Sequence, residues 1–212
     1  MSSRGEVAVT SVALAGPRLY MAVGDKLRLW DLRMLECVCK LWSGHAAAVM
    51  CLAVRGGAGG DLVATGSKDH YVRTMQMNNT SGSWESSCRR LLEPPHYDGV
   101  QALSLLGAAL YSGSRDSSIK RWDADNHALT HSVMNAHKGW VTSLCPLPLG
   151  PEPALASVGR DASLRAWSAS LRPLAPPLPL PDAPHALAAN KHALYTAGND
   201  GRVRCWRLRR MR

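Results

Sequence analysis

Apolar and polar residues alternate along this chain in short stretches broken by Gly, Asp, Asn and Ser. The clearest case is Ile119 and Arg121 against Lys120 and Trp122, the period of two that marks a strand. A strand of small residues and a tight turn precede it, so that the whole unit reads SGSRDSSIKRW from Ser112 to Trp122. The unit recurs as TGSKDHYVRTM from Thr65 to Met75, SVGRDASLRAW from Ser157 to Trp167 and TAGNDGRVRCW from Thr196 to Trp206. A fainter copy, AVGDKLRLWD, ends at Asp31. One such unit cannot cover its own faces. The repeats therefore predict an all-β protein of small sheets stacked radially, each burying its flat face against the next. At about 40–45 residues per unit, 212 residues hold roughly five.

The spacing and the residues resemble WD-repeat β-propellers, and the resemblance implies about five four-stranded blades in one domain over residues 1–212. The approximate blades are 5–43, 44–92, 93–134, 135–178 and 179–208, with a basic tail at 209–212. In such blades a corner histidine, a hydroxyl, a turn aspartate and a tryptophan form a structural relay. A buried carboxylate is costly unless donors reach it, and tryptophan adds apolar area and one N–H. The matching sets are His96, Ser112, Asp116 and Trp122, and His137, Ser157, Asp161 and Trp167. His45, Thr65 and Asp69 end instead in Met75, which lacks a donor.

The last blade offers Thr196, Asp200 and Trp206, but His185 is too close to Asp200 for the corner and is expected inside the first strand, with the corner near Leu180. The first blade has no corner histidine, and Asp25 stands one residue too near Trp30. These two end blades are expected to be the least stable. The chain enters at an innermost strand, GEVAVTSVAL, and leaves at a third strand, RVRCWRL, which predicts an open arc with no outer strand in the last blade.

Three histidines that recur beside Asp and Ser argue for a structural relay and against catalysis, because an active site is built once. His127, His131 and His137 lack a carboxylate or cysteine at ligand spacing, and no phosphate-binding G-x-x-x-x-G-K-[ST] loop is present. No enzyme activity and no cofactor are expected. The six cysteines form no C-x-x-C pair and read as buried thiols of a reducing compartment. The longest apolar run, Val100 to Tyr111, is too short to span a membrane, and the N-terminus lacks a secretory signal pattern. A net charge of +9 favours acidic partners.

VMCLAV from Val49, TGSKDHYV, EPPHYDG from Glu93, SGSRDSSIKRWD and NAHKGWV from Asn135 together resemble the C-terminal WD-repeat domain of long kinesin-4 motors. EPPHYDG, with a Pro-Pro-His corner in place of Gly-His, is the specific string. The resemblance covers residues 19–208 and implies the last five blades of a seven-bladed ring. It also implies a tail module, cytoplasmic and cytoskeletal, that binds tubulin, microtubules or cargo and helps restrain microtubule growth. The motor domain itself is absent from this sequence. The candidate contact residues for an acidic partner are Arg202, Arg204, Arg207, Arg209, Arg210 and Arg212 at the basic end. Nucleic acid is disfavoured, since the aromatic residue among them, Trp206, is the structural tryptophan. A rival reading comes from Trp30-Asp31-Leu32-Arg33, which resembles the W-D-x-R motif of cullin-RING ubiquitin ligase receptors. The prolines of RPLAPPLPLPDAP keep a P-x-x-P spacing at Pro173, Pro176 and Pro179, but are expected to be surface connections of polyproline type.

Overall fold

The computed structural model describes residues 8–148 and 153–207, and every element among them is a strand. The first sheet holds β1 (Val9–Ala15), β2 (Arg18–Val23), β3 (Lys26–Asp31) and β4 (Glu36–Trp42). The second holds β5 (Val49–Arg55), β6 (Asp61–Ser67), β7 (Val72–Thr80) and β8 (Ser83–Leu92). The third holds β9 (Val100–Leu106), β10 (Ala109–Ser114), β11 (Ile119–Asp123) and β12 (Leu129–Val133). The fourth holds β13 (Val141–Leu147), β14 (Ala154–Gly159), β15 (Ser163–Ser168) and β16 (Leu178–Pro179), and the fifth holds β17 (Pro184–Ala189), β18 (Ala193–Gly198) and β19 (Val203–Arg207). All pairings are antiparallel, and each sheet keeps chain order from its innermost strand outwards. The innermost strands pack side by side, β1 on β5, β5 on β9, β9 on β13 and β13 on β17. The arrangement is an open propeller of five sheets.

The core lies between blades and not within them. Tyr20, Leu27 and Leu29 of the first sheet meet Val63, Met75 and Met77 of the second. Leu62, Ala64 and Leu92 then meet Leu110 and Trp122 of the third, whose Tyr111 and Ile119 meet Leu155 and Trp167 of the fourth. The last interface is thinner, with Leu147, Ala154, Ala156 and Leu194 fully buried. Second strands are sandwiched on both faces, which is why β6, β10 and β14 are buried throughout and are made of small residues. Gly113 shows how close the sheets come, since a Cβ there would sit 2.6 Å from Val141 Cγ1.

Each innermost strand shifts register near its start, at Val9/Ser11, Val49/Cys51, Val141/Ser143 and Pro184/Ala186, and opposite Gly113/Ser114 in the third sheet. These bulges turn a side chain out of the ladder. In two of them the freed residue is a threonine that reaches the next blade: the Thr10 hydroxyl donates to Val49 O at 2.6 Å, and that of Thr142 to Pro184 O at 2.6 Å.

The apolar run from Val100 to Tyr111, expected to be too short for a membrane span, is a hairpin turning at Gly107, where φ is 59°. The proline-rich stretch is exposed from Arg172 to Pro179, as a surface connection, and it is also tied down, because Leu174 N–H donates to Ala166 O and Leu180 N–H to Ala162 O, both at the edge of the β15 hairpin. It serves as the outer strand of its blade. Proline cannot donate to a ladder, so pairing shrinks to the two residues of β16.

Candidate functional site

The repeated polar residues converge inside three blades. In the fourth sheet the Trp167 indole N–H donates to Ser157 Oγ at 2.8 Å, Ser157 Oγ stands 2.7 Å from His137 Nε2, and His137 Nδ1 stands 2.9 Å from Asp161. The donor rules fix the direction. An ionised carboxylate can only accept, so the neutral imidazole carries its proton on Nδ1 towards Asp161, and bare Nε2 accepts the serine hydroxyl while the serine oxygen accepts the indole N–H. The third sheet repeats this with Trp122 to Ser112 at 2.9 Å, Ser112 to His96 at 2.8 Å and His96 to Asp116 at 3.0 Å. In the second sheet His45 joins Thr65 at 2.9 Å and Asp69 at 2.9 Å, and buried Met75 fills the indole position. The chain of bonds stops at Thr65, which can turn its hydroxyl to Arg73 O.

The aspartates cap the turns as well. Asp161 accepts the backbone N–H of Lys138 at 2.9 Å and of Ser163 at 3.2 Å, and the Ser163 hydroxyl at 2.8 Å. Ser118 does the same for Asp116, with its hydroxyl at 2.6 Å. These two serines, each two residues after its aspartate, were not singled out from the sequence, although RDSS and RDAS carry the signal. Burial raises the Asp161 carboxyl, but the donors from Lys138, His137 and Ser163 outweigh it and hold it at about 2. Burial pushes His45, His96 and His137 below the ordinary imidazole value, against the pull of their aspartates. The relay is a neutral imidazole on an ionised carboxylate. Ser112 and Ser157 are fully buried and already accept an indole N–H, which leaves no path for a substrate to reach them.

The end blades differ as their sequences suggest. Trp206 still donates to Thr196 at 3.0 Å, but Asp200 pairs with Arg204, and His185 lies on β17 and meets Asn199 at 2.7 Å. In the first sheet the Trp30 indole N–H has no partner.

A buried cation was not foreseen. Lys120 alternates with Ile119 along β11, sharing its strand side with Trp122, and is 4% exposed. Its ammonium donates to Pro94 O at 3.0 Å and Pro95 O at 2.7 Å, the carbonyls of the Pro-Pro-His corner. The corner uses these two carbonyls as an acceptor pair. Asp61 is a second buried charge, joining the first two sheets: Arg18 donates to it at 2.6 and 2.8 Å and the Tyr20 hydroxyl at 2.6 Å. Burial, then Asp61 itself, push the Tyr20 phenol upwards.

Among the surface candidates, Arg202 and Arg207 are exposed, Arg204 is taken up by Asp200, and Arg209, Arg210 and Arg212 lie outside the described residues. Arg33 of the W-D-x-R string folds back on Asp31, with Nη2 to Oδ2 at 2.6 Å. His127 and His131 lie apart from the relay of His137: His127 meets Thr74, and His131 is exposed on β12. All six cysteines are unpaired thiols, but the expected burial holds for Cys51 alone, and Cys88 and Cys205 are exposed on strand edges and outer faces where small polar residues serve equally well. No helix among the described residues is long and apolar enough to cross a membrane.

The family described as "WD domain, G-beta repeat" matches residues 35–74 and 129–168. Each match begins on the outer strand of one sheet and ends on the third strand of the next, so the sequence repeat straddles two blades. The chain is 37% identical over 209 residues to the kinesin-like protein KIF21B of Mus musculus, covering 97% of this chain and 12% of that protein. It is 38% identical over 211 residues to the kinesin-like protein KIF21A of Homo sapiens, covering 98% and 12%. The chain thus spans about 12% of the length of these relatives. Two solved structures share its fold: "Structure of U3-55K" at 19% identity and a TM-score of 0.79, covering 96% of this chain and 62% of that one, and "Crystal structure of RRP9 WD40 repeats", also at 19% and 0.79, covering 96% and 61%. The repeats, the radial sheets and these matches place the chain in the WD-repeat family, as a non-catalytic propeller scaffold for protein interaction similar to part of the KIF21 kinesin-like proteins.

Proposed function

We propose that this chain is the partner-binding module of a kinesin-like protein, that it contacts microtubules or cargo in the cytoplasm, and that its microtubule contact contributes to the regulation of microtubule dynamics. The observation that carries the reading is the 38% identity to KIF21A over 98% of the chain. The charge of +9 supports an acidic counterpart, as tubulin with its carboxylate-rich tails would be. The relays hold the blades, and the exposed surface makes the contact. Arg202 and Arg207 are exposed and belong to one such surface; Arg209, Arg210 and Arg212 follow them in the sequence, outside the described residues.

Co-sedimentation tests this reading directly. The chain should pellet with intact microtubules, and less so after the tubulin tails are removed by proteolysis or after Arg202, Arg207, Arg209, Arg210 and Arg212 are changed to serine. Absence of pelleting with intact microtubules would overturn the microtubule contact, and undiminished pelleting of both altered samples would overturn the electrostatic one.

A further inference from the structure

The turn aspartates of the relays have basic neighbours, and the two residues go opposite ways. Lys68, Arg115 and Arg160 each precede a relay aspartate, at the same turn of three consecutive blades. Their backbone N–H groups are held alike, Lys68 on Ala48 O at 3.1 Å, Arg115 on Gly99 O at 3.0 Å and Arg160 on Trp140 O at 2.9 Å. Each aspartate turns inwards to its histidine. Each basic side chain is left at the end of the propeller without a carboxylate within ion-pair distance among the described residues, whereas Arg18, Arg55, Arg165 and Arg204 all have one.

These residues are contiguous. A Cβ on Gly99 would lie 3.4 Å from the Lys68 Cα and 3.8 Å from the Arg115 Cδ. Arg115 then stacks on Trp140, its guanidinium 4.2 Å from a ring centroid, and Arg160 stacks on the same tryptophan at 3.5 Å. Gln101, its amide oxygen turned to Arg115, accepts from Nε at 3.0 Å and Nη2 at 3.1 Å and fixes the plane of that guanidinium. Lys138, exposed, follows on the same loop as Trp140.

We propose that this row, Lys68, Arg115, Trp140 and Arg160, is a docking site for an extended, carboxylate-rich segment of a protein partner. The inference rests on the partner reading above and moves its main contact from the basic C-terminal end to the turns of the second, third and fourth blades. A guanidinium stacked on an indole is held flat with its edge donors directed outwards; Gln101 takes the Nε–Nη2 edge of Arg115, which leaves its Nη1 side and the guanidinium of Arg160 for carboxylates. The stacking spends the tryptophan face, so an unpaired base finds no aromatic platform there. That favours an acidic peptide over a single-stranded nucleic acid.

The test is fluorescence anisotropy of a labelled ten-residue oligoglutamate peptide, with a labelled oligothymidylate of equal charge as comparison. Arg115→Ser with Arg160→Ser should raise the Kd for the peptide at least about tenfold, as loss of two charge-assisted contacts implies. Arg172→Ser with Lys191→Ser removes the same charge from turns at the opposite end and should change it less than about twofold. Far-ultraviolet circular dichroism and melting verify that both pairs stay folded, and Trp140→Phe, which keeps a stacking ring, is expected to retain most of the affinity. Equal loss in the two double variants would overturn the site, as would oligothymidylate binding that is as tight and equally lost. Peptide binding through the row by a chain that fails to pellet with microtubules would leave the site standing and overturn the microtubule reading alone.

Discussion

Changing Asp161 to alanine removes one carboxylate and strands several donors at once. His137, whose side chain is fully buried, loses the acceptor for its Nδ1–H at 2.9 Å. The Ser163 hydroxyl loses its acceptor at 2.8 Å, while its oxygen, 3.2 Å from His137 Nδ1, offers that N–H a poor substitute acceptor. The backbone N–H of Lys138 also loses its acceptor, but Lys138 is exposed and water replaces it. A buried donor left unpaired costs about 1–3 kcal/mol, so with one fully stranded and one half-compensated the loss is about 2–3 kcal/mol. In a domain of this size each kcal/mol moves Tm by about 2–4 °C, which predicts a fall of roughly 5–10 °C in calorimetry near pH 7.5. Asp200→Ala is the internal control, because Asp200 serves the partly exposed Arg204 and the backbone N–H of Arg202 but no buried histidine, and it should move Tm far less. If Asp161→Ala melts with the wild type, or if the two variants fall equally, the relay contributes no stability of its own and the reasoning fails.

The relay residues could be read on paper because each blade states them again: a spacing seen once is noise, whereas His–Ser–Asp–Trp seen twice in register is a shared burial problem. The departures were readable for the same reason. Met75 at an indole position and the misplaced His185 stood out against the copies. Contacts that cross between blades had no such support. Asp61 meets Arg18 and Tyr20 from 43 and 41 residues away, and nothing in a local pattern announces that pairing. The burial of Lys120 went unannounced because alternation marks faces of a strand, and in a sheet packed on both sides neither face is solvent. The proline stretch lies on the surface as its composition suggests, but composition does not show that two N–H groups between the prolines suffice to hang it on β15.

Other consequences are open to measurement. Asp61→Ala leaves Arg18 and Tyr20 facing each other without their acceptor across the first blade interface, and a loss of about 3–5 kcal/mol in urea unfolding is expected; a loss under about 1 kcal/mol would refute the clamp. Lys120→Ala strands the carbonyls of Pro94 and Pro95 and should cost about 1–3 kcal/mol by the same measurement, where no change would show that water serves the corner equally well. The three relay histidines have folded values depressed below the ordinary imidazole value, so the stability they contribute is complete above about pH 6.5 and is lost as pH falls below it. Asp161, held at about 2 in the fold, adds a second loss as pH drops below about 4. Melting temperature followed from pH 8 to pH 4 should therefore fall on the acid side, and a flat profile would contradict the neutral-imidazole assignment.

A buried apparatus holds the blades, the proposed partner contact lies on the exposed surface, and one measurement sets the two against each other: the affinity of Asp161→Ala for microtubules at 10 °C, well below its melting transition. Affinity equal to that of the wild type, in a protein that melts several degrees lower, is the predicted result. Binding abolished with melting unchanged would make the relay a recognition site and contradict the account.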